Sequence, residues 1–474
     1  MYMRLAEAVK DGVRQGLLTA GSRMPAERML SAALAVSRTT VVAAYDELRR
    51  EGWLESRHGS GTWICRRSPV VSAARDLAQA RVLAESPLFA AFQGNDETID
   101  LSIGTPYPLT GLSTDPYQLP PDEMAALLEN RHYLPLGLPS LRLAVAERFT
   151  LRGLPTLPTQ ILITSGAQQA LALCAALFLR RGDTAAVEDP TYFGVLDAFR
   201  VAEARLASIP PVALATSQML LKDRLVASSA RLAYVVPTFH NPLGCTVSPP
   251  ARETFAGIVA ALDIPTIEDE TLADMRMEAG DFVPLASYAR DAQILTVGSL
   301  SKLFWGGLRV GWVRGPEATI NALARLKTAQ DLGGSRWMQT VAVRCLGMMD
   351  EAIARRKAQL LARRDFLVER LRDSLPDWAF VVPAGGVFLW TRMPSGNART
   401  LAQIALRHGL MLMPGSALSA SHAHEDCLRL SFLLEEDQID LGVQRLQAAW
   451  QESANSTAPA SILSDGRRTE PALV

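Results

Sequence analysis

The sequence predicts an α/β protein led by a separate small helical module, and three observations carry that expectation. From Ile99 onward, short apolar runs alternate with amphipathic stretches, the pattern of a mostly parallel sheet covered by helices. The first 67 residues break this rhythm: three helical periods precede an alternating hairpin, with eleven basic residues against seven acidic ones. Between these parts, the stretch from Arg66 to about Asn95 is rich in Ala, Arg and Ser, holds two prolines and shows no strand pattern, which suits a tether over residues 68–97.

Size and composition agree. A chain of 474 residues has room for about two to four domains and a large core. With 48% hydrophobic residues, 20% charged and a net charge of -1, it is neither a disordered chain nor a uniformly basic nucleic-acid binder. The five cysteines are scattered and form no C-x-x-C pair, so a reduced, cytoplasmic protein without disulfide framework or metal cluster is expected. The most apolar window, 170–179, is far short of the ~20 residues of a membrane span, and with no basic stretch followed by an apolar run near Met1, neither anchoring nor export is expected.

In the leading module, Leu5, Ala8, Val9, Val13 and Leu17 keep a helical period that Gly21 and Pro25 break. A short helix over 27–34 follows, then a tight Ala35-Val36 turn and Ser37 as N-cap of a third helix. Val41, Tyr45 and Leu48 form that helix's buried stripe, and Gly52 ends it. Arg38, Thr39 and Thr40 therefore occupy its first turn, where a recognition helix presents its tip to a major groove. There Arg can pair bidentately with guanine, and Thr can contact phosphate or a thymine methyl. The segment 53–64 alternates around Arg57-His58-Gly59-Ser60-Gly61, a hairpin suited to lie against the DNA backbone or minor groove.

Three strings in this module, Pro25-Ala26-Glu27-Arg28, Val36-Ser37-Arg38-Thr39-Thr40-Val41 and His58-Gly59-Ser60-Gly61-Thr62, closely resemble the winged helix-turn-helix of GntR-type transcription factors. The resemblance spans 1–67 and implies double-stranded DNA as partner. By the same matching, Arg28, Arg38, Thr39, Thr40, His58 and Gly59 become the contacting positions.

In the larger domain, strands are expected at 161–164, 185–187, 232–236, 266–268 and 294–297. In such a sheet ligands gather at the carboxyl ends of the strands, and each run is followed there by suitable chemistry. After the first comes Ser165-Gly166-Ala167-Gln168-Gln169, a small-residue turn into a helix expected to begin near Ala170, so that the amides of Ala167 and Gln168 could cradle a phosphate. After the second, Tyr192 can place its face over a planar ring. After the third, the Asn241 amide can donate to a phenolic oxygen. After the fourth, a buried Asp269 would keep a neighbouring ring nitrogen protonated.

The fifth strand leads into Ser299-Leu300-Ser301-Lys302-Leu303-Phe304-Trp305-Gly306-Gly307-Leu308-Arg309. A buried lysine held partly neutral can form a Schiff base with an aldehyde, while Ser299 and Arg309 supply donors for a phosphate. Taken singly, each of these pieces also occurs as a turn, a core residue or a solvated loop.

Their order and spacing resemble the fold type I, class I and II aminotransferases over about residues 100–450, whose cofactor is pyridoxal 5'-phosphate. Joined to the GntR-like module, this domain resembles the MocR subfamily of regulators. The resemblance implies Lys302 as Schiff-base lysine, Asp269 as pyridinium partner, Asn241 as O3' donor, Tyr192 as ring stack, and Ser299 and Arg309 as phosphate ligands.

In the alternating run 427–432, Arg429 points opposite to Leu428, Leu430 and Phe432, and an arginine turned inward needs an anion. The family match makes it the clamp for an amino compound's carboxylate. Tyr133 matches a tyrosine that in the family reaches the neighbouring subunit's phosphate, which implies a homodimer. From Glu452 to the end the chain loses periodicity, and a disordered tail over 452–474 is expected after an aminotransferase-like domain over 98–451.

One departure stands out. Relatives usually carry a tyrosine two or three residues after the pyridinium aspartate, and here those positions are Thr271 and Leu272. Its loss weakens the case for efficient transamination. The expected function is a DNA-binding regulator whose aminotransferase-like domain senses pyridoxal phosphate or an amino compound. The alternative is an active aminotransferase carrying an accessory DNA-binding module, which would have no need of the first 65 residues.

Overall fold

A computed structural model of the chain describes residues 2–14, 18, 22–34, 36–50, 53–57, 61–65, 98–129, 131–214, 217–278, 280 and 282–457. It divides into two compact units, Met1–Glu85 and Ser86–Val474. The expected tether over 68–97 lies outside the described residues, as do the hairpin tip residues His58 and Gly59.

The first unit is built as its sequence pattern suggests. Helix α1 is Tyr2–Arg14, α2 is Glu27–Ala33 and α3 is Arg38–Arg50. Ser37 caps α3: its Oγ accepts from the Thr40 amide at 3.1 Å, satisfying a donor that the helix start leaves free. Val41, Ala44, Tyr45 and Leu48 are fully buried against Ala6 and Val9 of α1 and against Trp53, Leu54 and Ile64. The buried Tyr45 hydroxyl donates to the Pro25 carbonyl at 2.9 Å and so ties the α2 approach to α3. Strands β1 (Leu54–Arg57) and β2 (Gly61–Ile64) pair antiparallel, with Arg57 opposite Gly61.

The second unit is organised on a seven-stranded sheet. Its strands are β4 (Ile161–Thr164), β5 (Thr184–Glu188), β6 (Arg205–Ile209), β7 (Leu232–Val235), β8 (Thr266–Asp269), β9 (Ile294–Ser299) and β10 (Gly311–Arg314), preceded by a short β3 (Ile99–Asp100). The spatial order is β4-β10-β9-β8-β7-β5-β6. All neighbours run parallel except β10, which is antiparallel to both β9 and β4.

Five of these strands are expected from the sequence; β6 and β10 are not. Both faces are covered. Leu162, Val187, Ile267 and Val297 pack toward helices Ala167–Phe178, Phe193–Val201 and Glu317–Asp331, while Ile161, Ile163, Ala233 and Val235 pack the other way. Burial on both faces explains why the strands read as unbroken apolar runs and not as alternation.

A smaller antiparallel sheet follows, of order β11-β12-β15-β14, with β11 at Ala379–Phe380, β12 at Phe388–Arg392, β14 at Met413–Pro414 and β15 at Cys427–Ser431. Between β12 and β14, β13 (Leu410–Met411) pairs instead with β3. Helix Glu436–Thr457 closes the unit. This corrects the expected tail: residues 452–457 are helical, and the Glu452 carboxylate lies 2.8 Å from His408 Nε2. Residues 458–474 lie outside the description. Among the described residues no helix is long and apolar enough to cross a membrane.

Candidate functional site

The carboxyl ends of β4, β5, β7, β8 and β9 surround one cavity of about 450 Å³. It lies within the roughly 300–1,000 Å³ typical of small-molecule sites. Ala167, Gln168, Tyr192, Asn241, Asp269, Ser299, Lys302, Arg309 and Arg429 all line it. Of the residues expected here only Tyr133 is elsewhere: it is 72% exposed and does not line the cavity of its own chain.

One corner gathers anion-binding groups. Helix Ala167–Phe178 starts three residues earlier than expected, because Gly166, at φ 91°, makes the turn that a side chain would strain. Ala167 and Gln168 are thus the first two helical residues, whose amides have no partner inside the helix. The Gln168 side chain is spoken for: its Nε2 donates to Gly194 O at 2.7 Å and its Oε1 accepts from the Tyr192 hydroxyl at 3.1 Å.

Opposite, Ser299 Oγ donates to Val310 O and accepts from the Ser301 amide, both at 3.1 Å. Arg309 adopts a left-handed backbone (φ 50°) and donates to Ser165 O at 2.8 Å, which brings its guanidinium over Gly166. A Cβ at Gly166 would meet Arg309 Nη2 at 3.0 Å, so the glycine leaves room for that cation. The buried Ser301 Oγ has no hydrogen-bond partner among the described residues.

Lys302 follows β9. Its Nζ donates to Gly104 O at 2.5 Å. Burial, with repulsion from Arg429 and Arg309 against attraction from Asp269, lowers its pKa to about 8. Asp269, at the end of β8, is buried and has both carboxylate oxygens engaged: Oδ2 accepts from the Tyr234 hydroxyl at 2.7 Å and Oδ1 from the Thr271 amide at 2.9 Å. Burial raises its pKa while those donors and Lys302 oppose the rise. The Tyr234 phenol is pushed well up by burial and then by Asp269.

Arg429 is 1% exposed. Its Nη1 donates to Asn241 Oδ1 at 3.1 Å, its Nη2 donates to Ser102 O, and its Nε has no partner among the described residues. The guanidinium lies 3.9 Å from the Phe388 ring centre and 5.2 Å from that of Phe193. Burial lowers its pKa to about 9. Because Asn241 accepts from Arg429 through Oδ1, its Nδ2 remains for donation elsewhere, as the expected O3' contact requires. The expected opposition of Arg429 to its neighbours is only half informative, since all five residues of β15 are buried.

Several lining residues escape the sequence reading: Ser301, Tyr234, Phe193, Phe388 and the backbone of Gly104. Two have a signal. Tyr234 in β7 and Val236, one residue past its end, are two positions apart, as alternation along an extended chain requires for a shared face, and both line the cavity. Ser301 stands beside Lys302 in a run already singled out.

Behind Asp269, Glu268 faces the other way, fully buried, accepting from the Leu285 amide at 2.7 Å and from Thr296 Oγ1 at 2.9 Å. Burial and then Glu270 raise its pKa to about 7. Its folded pKa thus exceeds its unfolded one, so the folded state keeps a proton that the unfolded state releases. Stability is full below the unfolded pKa and falls as pH rises toward 7. Glu268→Gln is expected to remove that fall, giving a higher melting temperature than wild type at pH 8 and a nearly equal one at pH 4. The gain is set by the raised Glu268 pKa and is opposed by Arg252, whose Nη1 lies 3.9 Å from Glu268 Oε1. A variant less stable at pH 8 would contradict this.

In the first unit, Arg28, Arg38 and Thr39 are exposed and Thr40 is half-buried. Arg38 lies 3.8 Å from Glu27, and the Thr39 and Thr40 hydroxyls lie 2.8 and 2.7 Å from Ser37 Oγ. The structure therefore presents Arg38 and Thr39 at the solvent-facing start of α3.

Fold and site define a class: a helix-turn-helix module ahead of an aminotransferase-like domain. Residues 97–446 match the family "Aminotransferase class I and II", and residues 1–64 match "Bacterial regulatory proteins, gntR family". The chain is 30% identical to the HTH-type transcriptional regulator YisV of Bacillus subtilis over 82% of its own length and 83% of that protein's. It is 27% identical to the probable rhizopine catabolism regulatory protein MocR of Rhizobium meliloti, over 80% of this chain and 78% of the other.

Among solved structures, it resembles LysN, the alpha-aminoadipate aminotransferase of Thermus thermophilus, complexed with N-(5'-phosphopyridoxyl)-L-leucine. The TM-score is 0.67 and the identity 26%, over 77% of this chain and 97% of that one. The chain belongs to the MocR subfamily of GntR-type transcriptional regulators, with a fold type I aminotransferase domain behind its DNA-binding module. The cofactor of that domain family is pyridoxal 5'-phosphate. The residues present fit it: the cavity holds an amine, a buried carboxylate, and an anion corner with a partnerless hydroxyl.

Proposed function

We propose that this chain is a cytoplasmic, homodimeric regulator that holds pyridoxal 5'-phosphate on Lys302 and couples the state of that site to DNA binding by its first unit. The observation that carries the reading is the convergence of Lys302, Asp269 and Arg429 on one cavity, in a chain that also presents Arg38 and Thr39 on a capped recognition helix. The cofactor supplies an aldehyde that condenses with amines and a ring that withdraws electrons.

The chain's own residues do the rest. Lys302 offers an amine that is half neutral near pH 8. Asp269, steadied by Tyr234 and Thr271, would hold the proton on the ring nitrogen. The helix-start amides, Ser299, Ser301 and Arg309 hold the phosphate, with the helix dipole aiding. Tyr192 would cover the ring and Asn241 Nδ2 would serve its phenolic oxygen. Arg429, already desolvated and fixed by Asn241 and Ser102, receives the carboxylate of an amino compound. Tyr133, exposed and absent from its own cavity, would serve the neighbouring subunit.

DNA-shift titration on the region upstream of the chain's own gene tests the reading. Binding is expected to weaken steeply with salt and to change when pyridoxal phosphate is added. Arg38→Ala is expected to cost ~1–3 kcal/mol of that binding, the size of one base contact. Transamination is the second reading, favoured by the complete Lys302, Asp269 and Arg429 set. Turnover of amino acids at ordinary enzyme rates together with no DNA shift at low salt would overturn the regulator.

A further inference from the structure

One run of backbone, residues 102–109, passes along the cavity beside Lys302 and is held there through its carbonyls. Ile103, Gly104 and Thr105 belong to the cavity lining. Ser102 O accepts from Arg429, and Gly104 O accepts from Lys302 Nζ at 2.5 Å. Further along, Pro106 O accepts from the Gly306 amide at 3.4 Å, and the Leu109 amide donates to Phe304 O at 2.8 Å. A Cβ at Gly306 would collide with the Thr105 side chain, so this glycine lets the run lie directly on the turn that follows Lys302.

The run and the turn also meet on a third cation. Arg356, on helix Met349–Ser374, is 3% exposed and does not line the cavity. Its Nε donates to Leu303 O at 2.9 Å, and its Nη2 donates to Phe304 O at 3.2 Å and to Tyr107 O at 3.3 Å. Nη1 donates to Gln359 Oε1 at 2.9 Å, so each guanidinium nitrogen has an acceptor. On the proposed reading Lys302 and Arg429 have ligands to serve, and their hold on the run is not permanent. Arg356 has no such duty. We infer that Arg356 is a positioning residue for Lys302: by clamping residues 102–109 onto the backbone of Leu303 and Phe304, it keeps the Gly104 carbonyl at the Lys302 amine and keeps water away from it. This rests on the Schiff-base role proposed above for Lys302.

Burial is the largest cause of the lowered Lys302 pKa, with Arg429 of β15 and Arg309 repelling its charge and Asp269 of β8 attracting it. Arg356 acts on this balance through solvent access. A loosened run admits water, which restores the hydration of the ammonium and raises the pKa. Loss of Gly104 O as acceptor opposes this little, because the same water accepts in its place.

The test uses the full chain freed of cofactor, unaltered and as Arg356→Met and Arg356→Lys. Methionine fills the space without donors, and lysine keeps the charge but not the planar fork that reaches several carbonyls at once. Pyridoxal phosphate is added at pH values from about 6 to 10, and attachment is followed by absorbance and by cofactor mass fixed with borohydride. In Arg356→Met the pH at which the rate levels off is expected to rise by about one unit, slowing attachment about tenfold at about pH 7. In Arg356→Lys about half that rise is expected. Without cofactor, hydrogen exchange of peptides spanning 102–109 is expected to quicken at least about tenfold in Arg356→Met, the scale of one or two lost hydrogen bonds.

An arginine that only supports the fold predicts a lower melting temperature with the levelling-off pH and the exchange of 102–109 both unmoved. That result in Arg356→Met overturns the inference. Should Arg356→Met not fold, an unmoved levelling-off pH in Arg356→Lys overturns it. The two readings fail differently: an unaltered chain that fixes no cofactor at any pH defeats the role of Lys302 and this inference with it, whereas attachment with an unmoved profile in the variants defeats only the role of Arg356.

Discussion

Lys302→Ala is expected to lose its covalent hold on pyridoxal phosphate: borohydride reduction fixes cofactor mass onto the wild-type chain and none onto the variant. The reason is chemical, since Nζ is the amine among the cavity's described walls and only its neutral form attacks an aldehyde. With the pKa lowered to about 8, the neutral fraction falls about tenfold for each pH unit below that value. Attachment measured from about pH 6 to 9 is therefore expected to speed up with pH and then level off near 8. A flat profile, or cofactor fixed to the variant, would contradict the site. If the variant bound DNA like the wild type and neither protein's DNA binding responded to pyridoxal phosphate or to an amino compound, the large domain would serve only for assembly.

Arg429→Met is expected to separate the cofactor from the effector. The variant replaces a buried cation by a flexible apolar chain, which the flanking Phe193 and Phe388 can accommodate. Binding of carboxylate-bearing ligands should weaken by ~2–5 kcal/mol, the usual cost of removing one side of a buried charge pair. Cofactor uptake and the response to isopentylamine, which is leucine without its carboxylate, should change no more than about threefold. Titration of the cofactor's absorbance measures all three quantities in one experiment. A parallel loss of cofactor affinity would mean that Arg429 supports the phosphate site or the fold instead.

Much of the site can be read in the chain because its chemistry sits at the ends of apolar strands. Asp269 and Lys302 follow runs that are buried on both faces, and such runs announce themselves. The strands that escape are those that lack this signature. β10 is four residues long, begins with a glycine and ends with an arginine, and its glycine reads as part of a turn. β6 lies at the sheet's edge, where exposure favours a mixed sequence.

The start of helix Ala167–Phe178 escapes because a glycine in a left-handed turn, not a Ser or Asp cap, opens it. Tyr234 reads as a core aromatic, and it is one: its hydroxyl becomes functional only because the fold sets Asp269 beside it, 35 positions later in the chain. The expected tail boundary falls six residues short of Thr457, since a helix end held by its packing needs no periodic signal of its own.

The antiparallel insertion of β10 between β4 and β9 sets the order in which the molecule becomes competent. The anion corner needs Gly166 and Arg309 together, and Gly311 lies opposite Thr164 across that pair of strands. Arg429 is later still. A ribosome working from the N-terminus releases the helix-turn-helix first, and the non-local pairing that shapes the cavity waits for the last third of the chain. A prematurely terminated product would therefore carry the helix-turn-helix without the cavity that, on the proposed reading, informs it. On that reading, responsiveness is a property of the finished polypeptide alone.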